Sequence, residues 1–133
     1  MKYYTHVLYH SECMDGFGAA WAAWKWFGEM CKYIPIVHGE PFPELPTNAD
    51  VLMLDVAYPR DRHLELKSLV RSVTVVDHHI SAQRNLGDLP DTHFDMDHSG
   101  AVLAWKFLQP DVPVPELLKY VEDRDLWRFK LPH

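Results

Sequence analysis

Val51-Leu52-Met53-Leu54-Asp55 sets the fold class. Four apolar residues without alternation, closed by a carboxylate, describe a strand buried on both faces, because a strand with one wet face alternates. Ser72-Val73-Thr74-Val75-Val76, which runs into Asp77-His78-His79, and Thr5 to His10 also read as strands. Between these strands the spacing predicts helices. Asp15 to Glu29 carries Phe17, Ala20, Trp21, Trp24 and Phe27 at helical intervals, and these are expected to face the core, with Trp26 off that stripe at an interface. Asp61 to Leu69 is a second helix, and a short one starts at Ser81. Ser99 caps another to Leu108 and Pro115 opens the last, through Glu116, Leu117, Leu118 and Val121. Tyr33 to Val37 is a weaker strand because Pro35 interrupts it. Strand–helix alternation gives an α/β fold, a parallel sheet with helices on both faces.

The rest of the composition bounds the problem. The chain has 133 residues, about one domain, so residues 1–133 are expected to form a single unit. Its 47% hydrophobic and 24% charged content excludes a disordered or low-complexity protein. Pro41-Phe42-Pro43-Glu44-Leu45-Pro46 is a loop too short to divide two domains. No apolar run reaches the ~18 residues of a membrane span. Met1-Lys2-Tyr3-Tyr4-Thr5-His6 lacks the apolar core of a signal peptide, so a cytoplasmic protein without membrane partners is expected, with Cys13 and Cys31 reduced. A net charge of −6 speaks against a basic nucleic-acid coat, but not against a phosphate ligand held through metal ions.

Ligands of open parallel sheets sit beyond the carboxyl ends of the strands. Here three strands end in metal-ligand residue types: His10 followed by Cys13 and Asp15, then Asp55, then Asp77-His78-His79. A further acidic run, Glu122-Asp123-Arg124-Asp125, closes the last helix. Singly, each has an ordinary reading: a surface histidine, a turn aspartate, a solvated helix face. Their convergence on one end of one sheet points to coordination chemistry. Imidazole and carboxylate donors suit Mn²⁺, Fe²⁺ or Zn²⁺ better than Ca²⁺.

The order His10…Asp15-Gly16, Asp55, Asp77-His78-His79 and Asp123 resembles the DHH phosphoesterase superfamily, over nearly the whole chain from Tyr9 to Trp127. That group includes RecJ-type exonucleases, oligoribonucleases, cyclic-dinucleotide phosphodiesterases and family II inorganic pyrophosphatases. The resemblance implies a DHH-type N-terminal catalytic domain holding two divalent ions, with Mn²⁺ the expected metal. It makes His10 and Asp55 ligands of the first ion, and Asp15, Asp55, His78 and Asp123 ligands of the second. Asp77 then orients an imidazole and His79 contacts the substrate phosphate. Asp55, Asp77, His78 and His79 form the catalytic group, and a hydroxide activated between the ions attacks in line. The implied reaction is hydrolysis of phosphodiester or phosphomonoester bonds in short oligonucleotides or nucleotides. Pyrophosphate or polyphosphate hydrolysis is the alternative, as is a catalytically weak module that binds phosphate ligands.

Further expectations concern substrate. The helix openings at Gly16 and at Ser99-Gly100-Ala101 offer N–H groups to phosphate, although a plain cap is the simpler role for Ser99. Arg124 suits a phosphate contact or a surface ion pair, and Trp127 either packs or stacks on a base. His38, His63 and His93 read as surface residues. Two departures from the family pattern stand out. Cys13 occupies a position where relatives carry Asp, so the first site is expected to hold Mn²⁺ weakly, or to take Zn²⁺ or Fe²⁺ through a thiolate. The second domain that closes over substrate in most relatives is expected to be missing, the sequence stopping at Leu131-Pro132-His133. A homodimer is compatible with the sequence.

Overall fold

The computed structural model describes residues 3–126. Trp127, Leu131, Pro132 and His133, as well as Met1 and Lys2, lie outside the described residues. In chain order the elements are β1 (His6–His10), α1 (Met14–Phe27), β2 (Lys32–Ile36), β3 (Asp50–Leu54), α2 (Arg60–Leu69), β4 (Ser72–Asp77), α3 (Ile80–Leu86), β5 (Thr92–Phe94), α4 (Gly100–Leu108) and α5 (Glu116–Asp125). The five strands form one parallel sheet in the order β2-β1-β3-β4-β5. The α/β parallel sheet expected from the alternation is the observed architecture.

Both faces of the sheet are covered. On one face Val7, Leu52, Leu54 and Val76 pack under α1, α4 and α5, with Ala19, Ala22, Ala101, Trp105 and Leu118. On the other, Leu8, Val51, Met53, Val73 and Val75 pack with Leu66 of α2 and with Tyr58. Successive residues of a strand point to opposite faces, so the apolar run of β3 and the valines of β4 feed both layers. The chain moves from β1 outward to β2, then returns to place β3 on the other side of β1. Right-handed crossovers in opposite directions put α1 and α2 on opposite faces, and the reversal leaves a crevice between the carboxyl ends of β1 and β3.

α1 does not bury the face that its aromatic residues suggest. Gly16, Gly18, Ala19, Ala20, Ala22, Ala23 and Phe27 are buried, whereas Phe17 is 67% and Trp24 51% exposed. Trp21 is only partly covered, stacked on Trp105 at 6.1 Å between centroids. The reason lies in α4, whose inner face also carries small residues, Gly100, Ala101 and Ala104. Two small-residue faces let the helix axes approach closely, and the dispersion gained over that contact outweighs burying two rings elsewhere. Trp26, off the stripe, is 43% exposed.

Two strands carry further lessons. β2 tolerates Pro35 because it is an edge strand. β5 is only three residues long and its sequence, Thr92-His93-Phe94, carries no strand pattern of its own; pairing with β4 creates it. His38 and His93 are exposed as expected, but His63 is fully buried under α2. Its place on the inward stripe of that helix, three residues before Leu66, decides this. No helix among the described residues is long and apolar enough to cross a membrane.

Candidate metal centre

Register builds the site. Tyr9 lies opposite Leu54, and Leu54 opposite Val76. The next residue on each strand is therefore His10, Asp55 or Asp77, a row of one imidazole and two carboxylates across the carboxyl ends of β1, β3 and β4. Asp55 leaves its strand in the left-handed backbone region, with φ 60°. That conformation costs an ordinary residue about 1–2 kcal/mol, and Asp is among the side chains that bear it best.

Two helices close on the row. A Cβ on Gly16 would strike the His10 carbonyl oxygen, so only glycine lets α1 start this close to β1. A Cβ on Gly100 would sit 2.6 Å from the Asp55 Cβ, so α4 also begins against the site. The Gly100 and Ala101 N–H groups donate to the two oxygens of Asp15, at 2.8 and 2.9 Å. The opening of α4 is thus used by a carboxylate of the protein itself. The Ser99 side chain accepts from the Val102 N–H and is fully buried. Ser99 thus fills the simpler of its two expected roles, the cap, while the Gly100 N–H, expected to face a phosphate, is given to Asp15. Glu122 ties α5 to the same helix start, accepting from the Ser99 N–H at 2.9 Å beside His98 at 3.0 Å.

The ligand-type atoms gather in three overlapping groups, each with its atoms within 4.8 Å of one another. His10, Cys13 and Asp55 make the first, Asp15, His78 and Asp125 the second, and Asp55, Asp77, His78 and His79 the third. His10 Nδ1 lies 3.7 Å from Asp55 Oδ2, and the Cys13 thiol 3.9 Å from the same oxygen. His78 Nε2 stands 2.9 Å from Asp55 Oδ1, 3.2 Å from Asp15 Oδ2 and 3.9 Å from Asp125 Oδ2. Asp55 therefore lies against both the His10 and the His78 sides.

The sequence named Asp123 for the second group, and the structure brings Asp125 there. Asp123 is buried but belongs to none of the three groups. Helical periodicity makes the choice, since Asp125 follows Leu118 and Val121 by seven and four residues, and those two side chains lie against Gly18 of α1. Arg124 is exposed and borders a cavity of about 260 Å³ lined also by Cys13, Met14, Asp15, Val121 and Asp125. A neighbouring groove runs from His10 and Cys13 along Tyr9, Met14 and Phe17.

Asp77 orients an imidazole, but that of His79: its Oδ1 accepts from His79 Nδ1 at 2.7 Å and from the His78 N–H at 2.8 Å. His79 is nearly half exposed, at the rim of the cluster.

The electrostatics show a site short of positive charge. Burial raises Asp55 to about 7, with Asp15 and Asp77 adding to the effect against the pull of His78. Burial opposes the charged His78 ring, yet Asp15 and Asp55 outweigh it and lift that ring to about 10. Burial also works to raise Asp15, but His78 and the α4 N–H donors hold it below the usual carboxylate range. Burial, then the charge of Asp15, push Asp125 up. Burial raises the Cys13 thiol as well. Among the described residues, Asp55 Oδ1, despite its closeness to His78, and Asp77 Oδ2 are buried without a hydrogen bond. Buried carboxylate oxygens left this way cost several kcal/mol unless a cation meets them. The donor set of imidazole, carboxylate and thiol fits divalent transition metals.

No family model matches the chain. It is 32% identical over 143 residues to an uncharacterized protein of Acanthamoeba polyphaga mimivirus, an alignment covering 95% of this chain and 34% of that protein. A crystal structure of an uncharacterized protein from Helicobacter pylori G27 resembles it with a TM-score of 0.72 at 14% identity, over 96% of this chain and 45% of the other. The second likeness shows the fold alone. The chain spans about a third of the mimivirus protein and under half of the bacterial one.

Proposed function

We propose that the chain is a DHH-type metal-dependent phosphoesterase domain acting on the phosphodiester or phosphomonoester bonds of short oligonucleotides or nucleotides. The observation that carries this reading is the row His10, Asp55 and Asp77 at the ends of three adjacent strands, with Asp55 common to the His10 and His78 sides. His10, Cys13 and Asp55 would hold one divalent ion, and Asp15, His78, Asp125 and Asp55 the other. Such ions supply positive charge to the phosphoryl oxygens and a water acidic enough to attack at neutral pH.

The protein's own groups do the remaining work. Asp15, fixed by the opening of α4, and His78 keep the donors of the second site rigid before any ion arrives. His79, held by Asp77 at the open side, donates toward a phosphoryl oxygen. Arg124 at the cavity mouth adds a guanidinium suited to phosphate. The groove of Tyr9, Met14 and Phe17 beside His10 and Cys13 favours an organic phosphate ester over pyrophosphate, which has nothing apolar to place there.

The test is a hydrolysis panel of a dinucleotide, an adenosine bisphosphate and pyrophosphate, with added Mn²⁺. Turnover of the first or second, lost on chelation, is the expected result. Pyrophosphate cleavage alone would move the reading to a pyrophosphatase. Binding without turnover of any of the three would reduce it to a phosphate-binding module.

A further inference from the structure

The two ligand groups differ in kind. One offers His10, Cys13 and Asp55, a nitrogen, a sulfur and an oxygen donor; the other offers His78, Asp15 and Asp125, without sulfur. We propose that the two ions are of different metals, and that the His10–Cys13–Asp55 site is a thiolate site selective for zinc over manganese. The inference rests on the metal-centre reading, not on the hydrolytic activity assigned to it.

Geometry places the thiol for the task. Cys13 stands immediately before α1, its backbone extended at φ −136° and ψ 129°, and its sulfur reaches toward Asp55 Oδ2. Asp55 is 1% exposed and turns its Oδ2 to both His10 Nδ1, at 3.7 Å, and the Cys13 sulfur, at 3.9 Å, while its Oδ1 faces His78. His10, on β1, completes three donors from three separate segments. Soft sulfur lowers the affinity for hard Mn²⁺ and raises it for Zn²⁺, which accepts tetrahedral nitrogen, sulfur and oxygen sets. When the ion binds, the sulfur–hydrogen bond breaks, the sulfur–zinc bond forms and the proton leaves to solvent, with no change of oxidation state. The oxygen-rich group around Asp15 and Asp125 keeps the preference for a harder ion.

Cys31 does not compete among the described residues. It is buried and its thiol donates to the Tyr4 carbonyl oxygen at 2.9 Å, in the core of the sheet. A sulfur signal from the metal-loaded protein therefore reports Cys13.

Cobalt(II), a spectroscopic stand-in for zinc, makes the test direct. The Co²⁺-loaded protein is expected to show near-ultraviolet sulfur-to-cobalt charge-transfer absorption, absent from the Cys13→Ser protein. Zinc affinity at that site should fall about tenfold or more in Cys13→Ser. Cys13→Asp, a second variant with a charged donor, should reverse the preference toward Mn²⁺. A wild-type cobalt form without the absorption, or Cys13→Ser with unchanged zinc affinity, overturns the inference. Charge transfer without hydrolysis of any phosphate ester leaves this site standing and removes the phosphoesterase reading. Hydrolysis without charge transfer does the reverse.

Discussion

His78 and His63 are both enclosed imidazoles, one at the carboxyl ends of the strands and one beneath α2, and their surroundings are opposite. His78 meets Asp15, Asp55 and Asp125 within 4 Å and is raised to about 10. Among the described residues His63 has no hydrogen-bond partner on either ring nitrogen, and burial, with Lys67 and Arg60 adding, lowers it. Burial alone makes a neutral packing residue. Convergent carboxylates make a place for cations, and that difference separates a site from a core.

The largest effect expected of this contrast is on turnover. Asp55→Asn removes the carboxylate that meets both His10 and His78, and kcat should fall on the order of 10³-fold, by analogy with loss of a key electrostatic group elsewhere. His63→Leu, in the other region, should leave kcat within about twofold. Steady-state kinetics at saturating Mn²⁺ decide it, and a near-normal Asp55→Asn enzyme would end the bridging assignment.

Next in size is the choice between two carboxylates of one helix. Asp125→Asn should weaken one metal site about 10- to 100-fold, in the range seen when a metal site loses a supporting group. Asp123→Asn should leave metal affinity unchanged, whatever it does to stability. Calorimetric titration of both variants reverses the assignment if the losses are exchanged.

The same pair of histidines separates by pH. His78 is raised from 6.5 to about 10, so its contribution to the metal-free protein is complete below pH 6.5 and is lost as pH rises toward 10. His63 is lowered, so the unfolded chain binds the extra proton and stability is lost as pH falls below 6.5. Asp55, raised from 3.8 to about 7, runs against the His63 limb over that interval. The alkaline limb is therefore the clearer one. The Tm of the metal-free protein should drop by at least about 5 °C between pH 6.5 and 10. His78→Gln should flatten that limb, while His63→Leu should alter only the acid side. A wild-type alkaline limb that is already flat contradicts the charge pairing around His78.

The smallest effect concerns the outer face of α1. Phe17→Ala should change stability by no more than about 0.5 kcal/mol, as at other exposed positions. Ala22→Leu, on the buried face, should cost about 1–3 kcal/mol by overpacking. Denaturant titration compares the two, and a reversed order would return the aromatic face to the core.

These results mark where sequence reading succeeds. The unbroken apolar run of β3 together with strand–helix alternation points to a parallel sheet covered on both faces, and a residue just beyond such a strand falls at its carboxyl end. The place of His10, Asp55 and Asp77 at the strand ends is therefore legible in the sequence. The inner face of α1 is not, because it depends on the small residues of α4, about 80 positions later in the chain. Ser99 is the cap its sequence position favours, but nothing local to Gly100 says that Asp15 already occupies the helix opening. Asp125 was within reach of a stricter periodicity argument, because it continues the Leu118–Val121 stripe and Asp123 does not.

The most direct measurement is the metal content of protein reconstituted with Mn²⁺ and Zn²⁺ and dialysed, paired with its melting temperature. About two divalent ions per chain are expected. Tm should rise on loading, and Asp55→Asn should bind fewer ions. A wild-type protein that retains no metal and melts at the same temperature with and without it contradicts the central claim.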